Sequence, residues 1–196
     1  MSILVIADHN NETILPATLN AVAAAGEIGG DISVLIAGSG CDAAANAAAE
    51  IAGVSTVLVA DADEYTYGLA ENVAPLISGI ASNYSHILAP ATTYGKNIMP
   101  RVAALIDTVQ ISDIIKVVDV ATFQRPIYAG NALATVSSNE AVKIITVRST
   151  AFEPAAASGG TAKIEAVPVT GEAGLSRFEK SELSKSERPE LTSAGI

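Results

Sequence analysis

Four short apolar runs set the rhythm of the first half of the chain, at residues 3–7, 32–37, 55–60 and 84–89. Each is too short for a helix, rich in Val, Ile and Leu, and closed by a polar or glycine-bearing turn, which predicts buried strands. Between them lie stretches with apolar residues near a spacing of three to four. Leu15, Leu19 and Val22 predict a helix with Pro16 in its first turn and Thr13 as cap. An Ala-rich helix is predicted from a cap at Asp42 to about Ala52, stopped by Gly53. Leu69, Val73, Leu76, Ile77 and Ile80 predict a third helix over 67–82. Pro100 predicts the first turn of a fourth. Strand alternating with helix argues for a parallel sheet with right-handed crossovers.

The pattern changes after residue 112. Residues 113–120, 122–128, 132–137 and 142–148 are β-rich with short turns, and Ser138, Asn139 and Glu140 suit a hairpin. An antiparallel extension on the sheet edge follows from this. Residues 163–169 suit one more strand after the Ala/Ser/Gly-rich stretch 155–160. The expectation is an α/β fold, a mostly parallel sheet with helices on both faces and an antiparallel β extension. From residue 171 charges of both signs alternate with few apolar side chains. The chain therefore divides into an α/β domain over 1–170 and a linker or docking arm over 171–196.

Bulk composition narrows the functional classes. Hydrophobic residues make up 49% of 196, enough for a full core, while aromatics are only 4%. The formal net charge is -10. Such a surface repels phosphate backbones and anionic lipid, so neither nucleic acid nor membrane is an expected partner. Cys41 is the only cysteine, so no intrachain disulfide forms. The first residues lack a basic region and a long apolar core, and no run is long enough to span a bilayer. A soluble protein of a reducing compartment is expected.

Candidate chemistry concentrates in three places. Residues 85–107 read as strand, loop and helix, with Thr92, Thr93, Tyr94, Gly95, Lys96 and Asn97 in the loop and Arg101 beyond it. Ligands and partners of open α/β sheets meet the chain just past such strand ends. The loop is not a phosphate-binding P-loop, because Pro90 replaces the leading Gly and Asn97 the magnesium-binding hydroxyl. Lys96 and Arg101 then suit an anion, a partner's carboxylate or a local cap. Gly38, Gly40 and Ala43 match the dinucleotide fingerprint, with Asp61 about twenty residues on. Yet this is the second βα unit, and Asp42 would stand beside the pyrophosphate, so a plain Gly turn with an N-cap Asp is the favoured reading. Arg125, Tyr128 and Asn131, with Phe123, place a cation, a phenol and a Gly bend in the β-rich half, suiting core packing or contact with another domain. His9 reads as a cap or loop residue, His86 as structural, and Asp61, Asp63 and Glu64 as a solvated acidic loop.

Several of these stretches together resemble a known family. They are Ile6-Ala7-Asp8-His9-Asn10 with residues 15–21, Ala91-Thr92-Thr93-Tyr94-Gly95-Lys96-Asn97 running on to Ala104, Arg125-Pro126-Ile127-Tyr128-Ala129-Gly130-Asn131-Ala132, and Glu187-Arg188-Pro189-Glu190-Leu191. The chain is similar over its whole length to the N-terminal domain of the electron transfer flavoprotein alpha subunit. The resemblance implies an adenine-nucleotide-alpha-hydrolase-like fold, pseudo-symmetric with the family's beta subunit. It implies an electron carrier rather than an enzyme, in which an alpha-beta heterodimer holds FAD and the beta subunit holds AMP. Electrons pass from acyl-CoA and other flavoprotein dehydrogenases to a membrane quinone oxidoreductase, in a bacterial cytoplasm or the mitochondrial matrix. The family's FAD residues lie in a second domain, expected after Ile196, so no FAD or AMP contact is carried onto this chain. Thr92, Thr93, Tyr94, Lys96, Asn97, Arg101, Arg125, Tyr128 and Asn131 become candidates for subunit contact or structural support. The alternative is a stand-alone nucleotide-binding α/β module.

Overall fold

The computed structural model describes residues 1–182. Residues 183–196 of the expected linker, with the motif at 187–191, lie outside the described residues. Seven strands form one sheet in the order β10-β3-β2-β1-β4-β9-β5, and every neighbouring pair is parallel. They are β1 (Ser2–Ile6), β2 (Asp31–Gly38), β3 (Val54–Asp61), β4 (His86–Pro90), β5 (Gln110–Ile114), β9 (Lys143–Val147) and β10 (Lys163–Ala166). A separate antiparallel sheet holds β6 (Lys116–Asp119), β7 (Thr122–Ile127) and β8 (Ala132–Ser137) in that order. The α/β class with a mostly parallel sheet and an antiparallel addition is as the sequence indicates.

Period-two alternation divides the core between the sheet's faces. Ile3, Val5 and Ala7 join one apolar cluster with the small residues of α1 (Pro16–Ile28) and α2 (Asp42–Ala49). Leu4 and Ile6 join the other, against α3 (Ala70–Ile80) and α4 (Thr93–Leu105). Helices therefore cover both faces. Alanines let α1 and α2 approach closely: Ala21, Ala24, Ala25, Ala44 and Ala48 are fully buried. The 155–160 stretch is held by α2's end, where Gly160 donates to the Glu50 carbonyl at 2.7 Å. A Cβ on Gly160 would stand 2.3 Å from the Ile51 carbonyl oxygen, so no larger residue fits.

Several boundaries move. Residues 113–120 split at Ile115: Asp113 adopts φ +59° and donates its N–H to the Thr146 hydroxyl within an irregular stretch of β5, which ends at Ile114, and β6 begins in the other sheet. Residues 138–140 are not a hairpin, because β8 and β9 belong to different sheets. β8 alternates half-buried and exposed positions, whereas Ile144, Ile145, Thr146 and Val147 are all buried. Burial on both faces is the mark of an interior parallel strand, and β9 sits between β4 and β5. Thr13 does not cap α1: Leu15 holds that position, and the Thr13 hydroxyl donates to Asn10 Oδ1. Asp42 is the first residue of α2 rather than its cap, and that helix ends at Ala49. α3 is shorter than 67–82. Helix α4 begins at Thr93, so Pro100 lies inside it and not in its first turn.

Candidate functional site

The chain leaves β1 toward β2 and β3, then returns through α3 to β4 on the other side of β1. This reversal puts the switch-point crevice between β1 and β4, where open α/β sheets bind ligands. Here the crevice is spanned by protein side chains. Asp8 follows β1 and is 8% exposed, and its backbone is fixed by Thr18, which accepts the Asp8 N–H at 2.9 Å and donates to the Asp8 carbonyl at 3.1 Å. Across the gap, Thr92 donates its hydroxyl to Asp8 Oδ2 at 2.7 Å. Thr92 Oγ1 also caps α4 by accepting the Gly95 N–H at 3.4 Å. Burial, and then the charge of Asp8, push the Tyr94 phenol far above its usual range, so it stays protonated. Helix α4 starts so close to β4 that a Cβ on Gly95 would lie 2.0 Å from the Pro90 carbonyl oxygen.

The fingerprint turn is likewise occupied by the chain itself. Ser39 N–H donates to Asn11 Oδ1 at 3.3 Å and Gly40 N–H to Asp61 Oδ1 at 2.9 Å. The Ser39 hydroxyl donates to Asp63 Oδ1 at 3.0 Å. Asn11 adopts φ +72° and also donates through Nδ2 to the Thr66 carbonyl at 3.2 Å. Asn11 Oδ1 would lie 2.1 Å from a Cβ on Gly38, so the glycine makes room for an internal amide. The donors that would cradle a pyrophosphate are filled by an amide and a carboxylate, and Asp61 places a negative charge where the anion would sit. Cys41 is fully buried behind this turn; burial first, and Asp61 next, push its thiol up and suppress the thiolate.

Beside this turn a cleft of about 200 Å³ is lined by His9, Asn11, Thr66, Tyr67, Gly68 and Tyr94, among others. His9 Nδ1 accepts the Asn11 N–H at 3.1 Å, which places the proton of the neutral ring on Nε2. Nε2 is buried and makes no hydrogen bond among the described residues. Desolvation lowers the His9 pKa against the raising effects of Asp8 and the Ala37 carbonyl, which favours the neutral ring. The cleft offers hydrogen bonding and an aromatic wall. Among the described residues no group of three or more His, Cys, Asp or Glu side chains converges as a metal site would require.

The nine candidate residues fall into two groups on different elements. Thr92 to Asn97 form the cap and first turns of α4 rather than a loop. Thr93, Lys96 and Asn97 are exposed there, while Arg101 pairs with Glu71 of α3 at 3.3 Å. Arg125, Tyr128 and Asn131 lie at the far end of the β7–β8 hairpin. Tyr128 is 79% exposed, and both it and Ala129 hold positive φ, at 50° and 54°. Leu133 of β8 is 61% exposed. Arg125 Nε is buried and makes no hydrogen bond among the described residues. His86 is structural: it is 1% exposed, its Nε2 donates to the Val120 carbonyl at 2.7 Å, and Nδ1 lies 2.9 Å from the Ser85 hydroxyl. Asp8, Asn11, Thr18 and Asn72 escape a reading of the sequence. Each acts through a partner at least ten residues away, or through a backbone carbonyl, and only the position of Asp8 just past an apolar run hints at its place.

Comparison with known proteins agrees with this architecture. The family model described as "Electron transfer flavoprotein domain" matches residues 3–172. The chain is 61% identical over 196 residues to the electron transfer flavoprotein subunit alpha of Pseudomonas aeruginosa, covering all of this chain and 63% of that relative. It is 47% identical over 209 aligned positions to the mitochondrial subunit alpha of Dictyostelium discoideum, covering 98% of this chain and 59% of the relative. It is 48% identical over 195 residues to the subunit alpha of Paracoccus denitrificans, covering 99% and 63%. The chain thus spans about 60% of the length of these relatives. A match across nearly the whole folded domain, with identities of this size, places the chain in the electron transfer flavoprotein family.

Proposed function

We propose that this chain is the N-terminal domain of an electron transfer flavoprotein alpha subunit, and that it scaffolds the alpha-beta heterodimer. The observation that carries this reading is the self-occupation of both nucleotide-type positions in a chain 61% identical to an alpha subunit. In this reading the domain holds no flavin alone. FAD belongs to the assembled heterodimer and AMP to the beta subunit. The assembly carries electrons from acyl-CoA and other flavoprotein dehydrogenases to a membrane quinone oxidoreductase, so the domain is a carrier part and not an enzyme. Its place is the bacterial cytoplasm or the mitochondrial matrix, and among the described residues no helix is long and apolar enough to cross a membrane.

The contact surface in this proposal includes the 127–133 hairpin end and the exposed first turns of α4. Left-handed backbone at two consecutive non-glycine residues costs about 1 kcal/mol or more each. Together with an exposed tyrosine and leucine, it suits a segment completed by a partner. Mixing the chain with the beta subunit and resolving the products by size-exclusion chromatography tests the reading. A co-eluting complex is expected, weakened at least tenfold by pairing Tyr128→Ala with Leu133→Ser at unchanged monomer stability. Two separate peaks at micromolar concentration would overturn it. Calorimetric titration with AMP, ATP and NAD distinguishes the stand-alone nucleotide module, for which saturable heat is required.

A further inference from the structure

The chain from Thr170 to Phe178 runs along residues 65–72, the turn before α3 and its first residues, and is fastened there at four points. The Tyr65 hydroxyl accepts the Thr170 N–H at 3.0 Å and lies 3.0 Å from the Thr170 hydroxyl. Asn72 Oδ1 accepts the Ala173 N–H at 3.0 Å. Glu71 Oε2 accepts the Ser176 hydroxyl at 2.9 Å. Tyr67 and Phe178 stack with ring centroids 3.8 Å apart and planes 10° off parallel. The receiving side chains are themselves held. Tyr65 and Asn72 are 1% and 3% exposed, Asn72 Nδ2 donates to the Glu64 carbonyl at 2.8 Å, and Arg101 holds the other oxygen of Glu71. The segment is different: of residues 170–178 only Ser176 is not exposed. Fixed sites on the domain thus grip a strap that contributes little buried area of its own. Such a strap opens well below the free energy of global unfolding.

We propose that residues 170–178 form a latch, a strap that closes on the start of α3 and opens as one unit while the sheet stays intact. Closed, it makes the chain leave the domain at Phe178. Open, the last fixed point retreats to Val167, whose N–H donates to the Val59 carbonyl at 2.9 Å. Residues 168–178 then become a free tether that reaches about 35–40 Å when extended. The latch therefore sets how far anything attached beyond Phe178 can travel from the sheet. Opening also strips one face of Tyr67, which lines the cleft shared by His9 and Tyr94. The inference stands on these contacts alone and does not require the heterodimer.

Hydrogen exchange on the full chain tests it. The Thr170 and Ala173 amides are expected to exchange together, faster than those of β1 and β4. Phe178→Ala removes an aromatic pair, worth about three- to tenfold in the opening equilibrium. Both amides should therefore exchange faster by that factor, although neither contacts residue 178, while β1 and β4 are unchanged. Tyr67→Ala should do the same, and the double variant should add nothing to either single one. Exchange of Thr170 and Ala173 at the rate of the sheet would overturn the latch, because no separate opening would exist. So would amides that ignore both single substitutions, since the anchors would then act independently.

Discussion

One oxygen of Thr92 serves two elements. It donates to Asp8 Oδ2 across the switch-point crevice and accepts from the Gly95 N–H at the start of α4. Thr92→Val keeps the shape and removes both bonds, leaving a nearly buried carboxylate without that donor. A loss of about 1–3 kcal/mol in urea unfolding is expected. Thr92→Ser, which keeps the hydroxyl, should fall close to the parent, and equal losses for the two variants would exclude the hydrogen-bond account. Little of this was legible beforehand. Thr92 stood out by its position after a strand, but Asp8 is 84 residues away and only folding pairs them. The same holds for Gly38: a fingerprint match could not reveal that its missing Cβ makes room for the Asn11 amide. Arg101 read as suiting an anion, a partner's carboxylate or a local cap, because Glu71 is its neighbour on another helix, not along the chain.

Elements were legible where one physical signal dominated. The apolar runs of β1 to β4 announced buried parallel strands. Competing signals misled elsewhere. Pro100 looked like a first-turn residue because proline is at home there. In the structure Thr92 supplies a stronger start, and α4 carries the proline within it. An interior proline leaves the carbonyl four residues back, Lys96, without its helical N–H and crowds it. Pro100 is exposed, so Pro100→Ala can restore that bond without repacking the core. A gain of about 1–3 kcal/mol is expected from chemical denaturation, reduced by the greater freedom of the unfolded chain. A loss of stability would show that the proline shapes the helix against β4. β9 was misread for a similar reason. Its neighbours in sequence alternate like hairpin strands, and only its own unbroken apolar run marks it as interior.

Stability of the domain as a unit should depend on pH through its two histidines. Burial lowers both the His9 and the His86 pKa below the ordinary 6.5. Well above 6.5 both rings are neutral in the folded and unfolded chain, and this contribution to stability is complete. Below it the unfolded chain binds more protons than the native one, so stability falls as pH falls. Each histidine contributes at most about 1.4 kcal/mol per pH unit to that slope. Urea midpoints measured between pH 7.5 and 5 should decline below about 6.5, and a flat profile would contradict the burial described for His86. His86→Gln should flatten part of the slope, since His86 bridges β4 to the Val120 turn of the small sheet.

The place of β9 bears on how the protein is made. Between β4 and β5, the two strands it joins, the chain runs only from residue 90 to residue 110, yet the strand that fills the gap begins at Lys143. On a ribosome, β4 emerges with one edge paired to β1 and the other bare. That edge waits while more than fifty further residues are synthesised. An unpaired strand edge is a template for wrong partners. The small antiparallel sheet, whose strands are contiguous in sequence, can form locally during that interval. The sheet closes late, so a chain cut short before Lys143 would lack not only the edge strand β10 but the interior strand β9, leaving β4 and β5 unjoined.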